Sequence, residues 1–178
     1  MVGVTALTLG AVACHPVEGA SEAEAAAPQT GPGKLIVLPD SAIAVQPGSI
    51  EEQLAAYLAT PAPAPRLFRF SGNEFQPWQT QPNRPTLRTM YAIQQILRAY
   101  PKVRVTIVGH TDNDGTPEQN LVLSRDRAQR MAQLLIQGGI DRRRITTEGH
   151  GLEQPIADNA TPEGRARNRR IELIVTAK

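Results

Sequence analysis

Val103-Arg104-Val105-Thr106-Ile107-Val108 runs straight into Gly109-His110-Thr111-Asp112-Asn113. Val103, Val105 and Ile107 alternate with Arg104, Thr106 and Val108, which predicts a strand with one face buried and the other partly open. The polar run that follows puts the carboxylate of Asp112 on the loop beyond the strand. Fifteen positions further on, Arg127 stands in Leu123-Ser124-Arg125-Asp126-Arg127-Ala128, one turn into the helix expected next. A carboxylate and a guanidinium held apart by a rigid scaffold form a receptor for a zwitterion. The carboxylate takes an ammonium, and the planar fork of arginine takes a carboxylate as a bidentate pair. Such a site binds an amino-acid-like group and needs no chemistry to do so. The plainer alternative is a structural Asp112–Arg127 salt bridge, worth ~0–1 kcal/mol if it lies at the surface.

The neighbouring segments fill out the architecture. The helix is expected from about Leu121 to Gln137, with Ala128, Met131, Ala132 and Leu135 on one face, and Gly138-Gly139 stops it. Upstream, Leu67-Phe68-Arg69-Phe70 reads as a first strand. Thr86 to Ala99 reads as a helix, with Leu87, Met90, Tyr91, Ile93 and Leu97 near helical spacing and Pro101 at its end. Downstream, Ile145 to Glu148 and Ile171 to Val175 read as two further strands. The order β-α-β-α-β-β predicts an α+β two-layer sandwich, a mixed sheet with helices on one face. Between the first strand and helix lies a long loop, Ser71 to Pro85, rich in Pro and Gln. Its Phe75 and Trp78 are read as cover for the sheet edge, with stacking on a sugar as the alternative.

Ahead of this domain, placed at 66–178, three segments differ in kind. Residues 1–14 begin with an uncharged, small and apolar stretch of about a dozen residues, too short for the ~20 needed to cross a bilayer. It reads as the apolar core of a secretory signal. Ala11-Val12-Ala13-Cys14 offers either an Ala-x-Ala cleavage site or a lipobox, and the lone cysteine favours lipidation at Cys14. Residues 15–33, rich in Ala, Glu, Pro and Gly, read as a flexible linker. Residues 34–65 read as a short strand-helix extension packed on the main domain. Leu35 to Leu38 and Ile43 to Val45 are its strands. Ser49 is the helix N-cap, with Glu52 closing a capping box, and Leu54, Tyr57 and Leu58 form the apolar stripe. The Pro/Ala run from Thr60 to Pro65 ends it.

Composition narrows the function classes. Nineteen basic against seventeen acidic residues leave a formal charge of +2. Arg142-Arg143-Arg144 and the arginines from Arg165 to Arg170 are interleaved with Asp141, Glu163 and Glu172, so they read as a salt-bridged face rather than a nucleic-acid surface. A calcium loop starting at His110 would require a bidentate Glu where Leu121 stands. His110, His150 and Asp112 lack metal-ligand spacing, and His110 reads as structural. Ser124 is read as a helix-start serine that caps or faces solvent, with no nucleophile elbow around it. Neither an enzyme nor a cofactor is expected.

The motifs together resemble the OmpA-like peptidoglycan-binding domain over roughly residues 66–176. They are Gly109-His110-Thr111-Asp112, Asn120, Leu123-Ser124 with Arg127-Ala128, Gly149-His150-Gly151, Gln154 to Asn159, and Gly164 to Arg170. Their order and spacing carry the likeness. The resemblance implies that Asp112 and Arg127 grip the diaminopimelate of the peptidoglycan stem peptide, Arg127 on the far carboxylate and Asp112 on the neighbouring ammonium. It also implies ligand contacts from Thr111, Gly115, Asn120, Leu123, Asn73 and Arg169. The partner it implies is peptidoglycan; separately, lipidated Cys14 followed by His15 rather than an Asp points to anchoring at the periplasmic face of the outer membrane. An accessory role in a secretion or motor complex, with residues 34–65 on an envelope protein, is the alternative, and a cell-wall hydrolase is a remoter one. No nucleic-acid partner is expected.

Overall fold

The computed structural model describes residues 33–72 and 74–178. The expected signal, the expected linker up to residue 32, Cys14 and Asn73 lie outside them. Two antiparallel strands come first, β1 (Lys34–Val37) and β2 (Ala42–Val45), followed by helix α1 (Ile50–Leu58). The larger unit then runs β3 (Arg66–Arg69), α2 (Arg84–Ala99), β4 (Arg104–Gly109), α3 (Pro117–Gln137), β5 (Ile145–Gly149), α4 (Pro162–Asn168) and β6 (Ile171–Ala177). Its sheet has the order β3-β6-β4-β5, with β4 and β5 parallel and the other pairs antiparallel. This is the α+β two-layer sandwich expected, with one short helix, α4, added between the last two strands.

Polar caps place the helix starts. Thr116 accepts from Gln119 N while the Gln119 side chain accepts from Thr116 N, a reciprocal box that starts α3 at Pro117 rather than Leu121. The first turn is polar, so apolar periodicity alone misses it. Arg127 therefore sits mid-helix, not one turn in. Thr161 starts α4 in the same way, accepting from Gly164 N with Pro162 in the first turn. Helix α4 buries only Gly164 and Asn168, so no apolar stripe announces it. In α1, Ser49 accepts from Glu52 N as expected, but the Glu52 carboxylate takes Gly48 N and Lys34 Nζ instead of the N–H of Ser49.

One continuous core joins the helices to the sheet. Leu54 and Leu58 of α1, Ile93, Ile96 and Leu97 of α2, and Met131 and Leu135 of α3 pack with Phe68, Val105, Ile107, Leu173 and Val175. β4 is flanked by β5 and β6 and is covered on both faces: Thr106 and Val108 are buried too, where a partly open face was expected. The β1-β2 hairpin keeps Leu35 and Val37 exposed.

The end of the sheet that carries the Asp112 loop depends on a close backbone approach. Gly109 and Gly149 are register partners at the ends of β4 and β5. A Cβ on Gly109 would strike the Ser124 carbonyl, and one on Gly149 would strike the Arg125 backbone nitrogen. Helix α3 therefore lies directly on the strand ends. Ser124 is fully buried in mid-helix, not at a helix start, and its Oγ accepts from Gly151 N at 2.9 Å while donating to Leu121 O. Since the Ser124 carbonyl belongs to a helix and cannot yield locally, Gly109→Ala should lower stability by about 1–3 kcal/mol, the usual cost of overpacking. Urea denaturation would read this; an unchanged midpoint would mean that α3 can shift.

Candidate functional site

Asp112 sits on the loop after β4, and Arg127 on the face of α3 turned toward that loop. Thr111, Asp112, Asn120, Leu123, Arg127 and Arg169 line one cleft together with Pro77, Trp78 and Asp114. Gly115 borders it at φ +84°, with the Trp78 ring in the space a Cβ would need. Six of the residues expected from the sequence thus converge, and Gly115 adjoins them. Leu123 contributes an apolar wall from α3.

Local bonds make the cleft rigid. Asn120 is buried and its Nδ2 donates to the carbonyls of Asp114 at 2.7 Å and Thr116 at 3.1 Å, tying loop to helix. Asp112 Oδ1 accepts from Asp114 N at 3.2 Å, and Thr111 N donates to Gly151 O at 2.9 Å. Asn168, fully buried, accepts from Ile156 N and Ala157 N and donates to Ala157 O and Asn159 Oδ1. It clamps the 156–159 loop onto α4 and so sets the position of Arg169, the next residue.

The charges pair differently from the simple salt-bridge alternative. Asp112 bonds Arg169, Nη1 to Oδ2 at 2.6 Å, and no direct Asp112–Arg127 ion pair forms among the described residues. Arg127, 1% exposed, donates from Nε to Gln79 O at 2.9 Å and from Nη2 to Gln76 O at 3.1 Å. Its guanidinium carbon lies 5.0 Å from the Phe75 ring centroid. Burial pulls the Arg127 pKa down to about 10; Asp112 and Glu74 oppose the shift and Arg169 adds to it. The group stays cationic at neutral pH. Thr111 Oγ1 and Arg169 Nε are buried with no hydrogen-bond partner among the described residues. The arrangement offers an anion a guanidinium whose present acceptors are neutral. It offers a cation a carboxylate with one charged partner, Arg169, among the described residues.

The basic clusters resolve residue by residue. Arg144 donates to the carbonyls of Leu97, Tyr100 and Val103, satisfying the end of α2. Arg143 pairs with Asp141 at the surface. Arg170 and Arg69 both donate from Nε at 3.0 Å to Glu172, on the sheet face away from the helices. His110 Nε2 lies 3.3 Å from the same carboxylate, its ring edge-on to that of His150. Burial lowers the His110 pKa against the pull of Glu172, so His110 is neutral at physiological pH and structural.

Sequence reasoning missed the part played by the long loop. Phe75 is buried under Arg127, and Pro77 and Trp78 wall the cleft rather than covering a sheet edge. Contacts spanning some fifty residues leave no local signal.

Residues 74–169 match the model of the OmpA family. That is more than half of the chain, and the protein belongs to this family. Over 88 residues it is 42% identical to the probable lipoprotein YiaD of Escherichia coli K12, covering 49% of this chain and 40% of YiaD. Over 79 residues it is 51% identical to the peptidoglycan-binding protein ArfA of Mycobacterium tuberculosis H37Rv, covering 44% of this chain and 24% of ArfA. The chain thus matches less than half the length of these relatives. A solved structure of the cell wall anchor of the T6SS from Pseudomonas aeruginosa superposes with a TM-score of 0.56 at 32% identity, covering 72% of this chain and 97% of that one.

Two buried carboxyls should give stability opposite pH slopes. Burial alone would raise the Glu172 pKa, but the bonds from His110, Arg170 and Arg69 outweigh it and hold it at about 2. The stability it contributes is complete above its ordinary 4.5 and is lost as pH falls toward 2. Burial raises the Glu74 pKa from 4.5 to about 7. The folded state keeps that proton longer, so stability should decline as pH rises from 4.5 to 7. Melting curves across pH should lose the acid arm in Glu172→Gln and the neutral-side decline in Glu74→Gln.

Proposed function

We propose that the cleft binds the far end of a diaminopimelate side chain in the peptidoglycan stem peptide. Arg127 takes the carboxylate, and Asp112, shared with Arg169, takes the ammonium. The observation that carries this reading is the convergence of a buried carboxylate and a buried guanidinium on one cleft beside the unpaired Thr111 hydroxyl. A surface salt bridge would have no need of such burial. The peptidoglycan-binding name of ArfA and the cell-wall-anchor description of the Pseudomonas structure support it. The chain then tethers the outer membrane, or an envelope complex, to the wall without covalent bonds, and Cys14 supplies the lipid anchor. No catalytic step and no cofactor enter this reading.

A second reading has its own observations. The match to a T6SS anchor over nearly that whole chain, with the exposed Leu35 and Val37 on the β1-β2 hairpin, supports an accessory subunit that meets an envelope protein through residues 34–65. Leu35→Glu with Val37→Glu would then abolish capture of a secretion-complex protein while leaving wall binding intact.

Co-sedimentation with purified sacculi tests the main reading. Wild type should pellet with sacculi, and free meso-diaminopimelate should release it. Arg127→Lys keeps the charge but loses the bidentate fork. It and Asp112→Asn should each weaken binding about tenfold or more, ~1.4 kcal/mol, with circular dichroism unchanged. Variants that pellet like wild type would overturn the assignment.

A further inference from the structure

The long loop after β3 occupies the cleft. Its neck is fixed: Phe75 and Pro82 form an isolated β-bridge, and Asn83 N donates to Glu74 O at 3.0 Å. Its tip, from Gln76 to Gln81, is exposed on the outside. On the inside, the Gln76 and Gln79 carbonyls sit on Arg127, and Trp78 lies against Gly115. Only about 10 Å³ of space is left in the cleft. That is at the threshold for a single water, and far below what an amino-acid end-group fills. Trp78 itself has φ +57°, the left-handed region that a bulky residue adopts at a cost. A ligand can enter only if the tip moves.

We propose that residues 76–81 are a lid whose Gln76 and Gln79 carbonyls stand in for the ligand carboxylate on Arg127, so that only a ligand bringing an ionised carboxylate opens the cleft. This deepens, and rests on, the diaminopimelate reading. The exchange has a clear direction. The lid gives Arg127 two neutral acceptors. A carboxylate gives the same guanidinium charge-assisted, bidentate bonds about twice as strong. A ligand with an ammonium but no carboxylate could pair only with Asp112; it offers Arg127 nothing and so gives the lid no reason to open. The site therefore selects free-acid diaminopimelate over its amidated form, and over lysine, which has the same ammonium but no far carboxylate. Closing the lid lowers the apparent affinity by the fraction of open molecules, so weakening the latch tightens binding.

Trp78 is the only tryptophan of the chain, so its emission reports the lid directly. The test uses the full chain, with meso-diaminopimelate and L-lysine as probes, followed by calorimetry and by Trp78 emission. The expected result is diaminopimelate binding with a shift of Trp78 emission to that of a more solvated indole, and neither heat nor shift with L-lysine. Trp78→Gly, which relieves the φ strain and removes the latch, should bind diaminopimelate at least about threefold more tightly. A tryptophan that merely contacts ligand would give weaker binding on removal. Heat from diaminopimelate with unchanged emission, or equal binding of L-lysine, would overturn the lid and leave the site assignment standing. No heat from diaminopimelate in either protein would overturn both.

Discussion

The contact between helix α3 and the ends of β4 and β5 governs the rest of the structure. It is a backbone-to-backbone approach, possible only because Gly109 and Gly149 face each other where a side chain would meet Ser124 and Arg125. The Ser124 hydroxyl then bonds Gly151 N, fixing the loop after β5 to the same helix. Thr111 N in turn bonds Gly151 O, and His150 N bonds Gly109 O. The loop bearing Asp112 and the helix bearing Arg127 are thus locked to one another through glycines. Their separation follows from main-chain geometry rather than from side-chain choice.

On that frame, the buried arginines are satisfied in two different ways. Glu172 gathers Arg69, Arg170 and neutral His110 on the far face of the sheet, and Arg170 reaches on to the carbonyls of Asn168 and Gln154. This network supports the turn that presents Arg169 to Asp112. Arg127 differs from the other buried arginine: its hydrogen bonds go to neutral carbonyls of a loop, while Arg170 bonds a carboxylate. A buried cation satisfied by neutral acceptors is held but not neutralised, and an incoming anion meets its full charge. That difference leaves Arg127 open to a charged acceptor in a way that Arg170 is not.

Pattern made much of this legible. Alternation at 103–108 and the apolar faces of the two long helices sufficed for the layers, because burying a face imposes a period on the sequence. Where no face is buried, the pattern fails. The polar first turn of α3 and the whole of α4 escaped it, although Thr116-Pro117-Glu118 and Thr161-Pro162-Glu163 carry the same capping signal at both places. Ser124 was misjudged because a serine's partner cannot be read from its neighbours in sequence, and here it is Gly151, far along the chain.

The sequence by itself determined the two-layer α+β architecture, the loop that carries Asp112 and the helix that carries Arg127, since each follows from local periodicity, glycine placement and motif order. Only the tertiary structure decided which charges meet. It set Arg169 rather than Arg127 on Asp112, turned Arg127 toward the carbonyls of Gln76 and Gln79, and laid Trp78 over Gly115. Those pairings join residues some forty to sixty positions apart. Their distances depend on how the whole sheet and its helices pack, and no local preference of the chain encodes that.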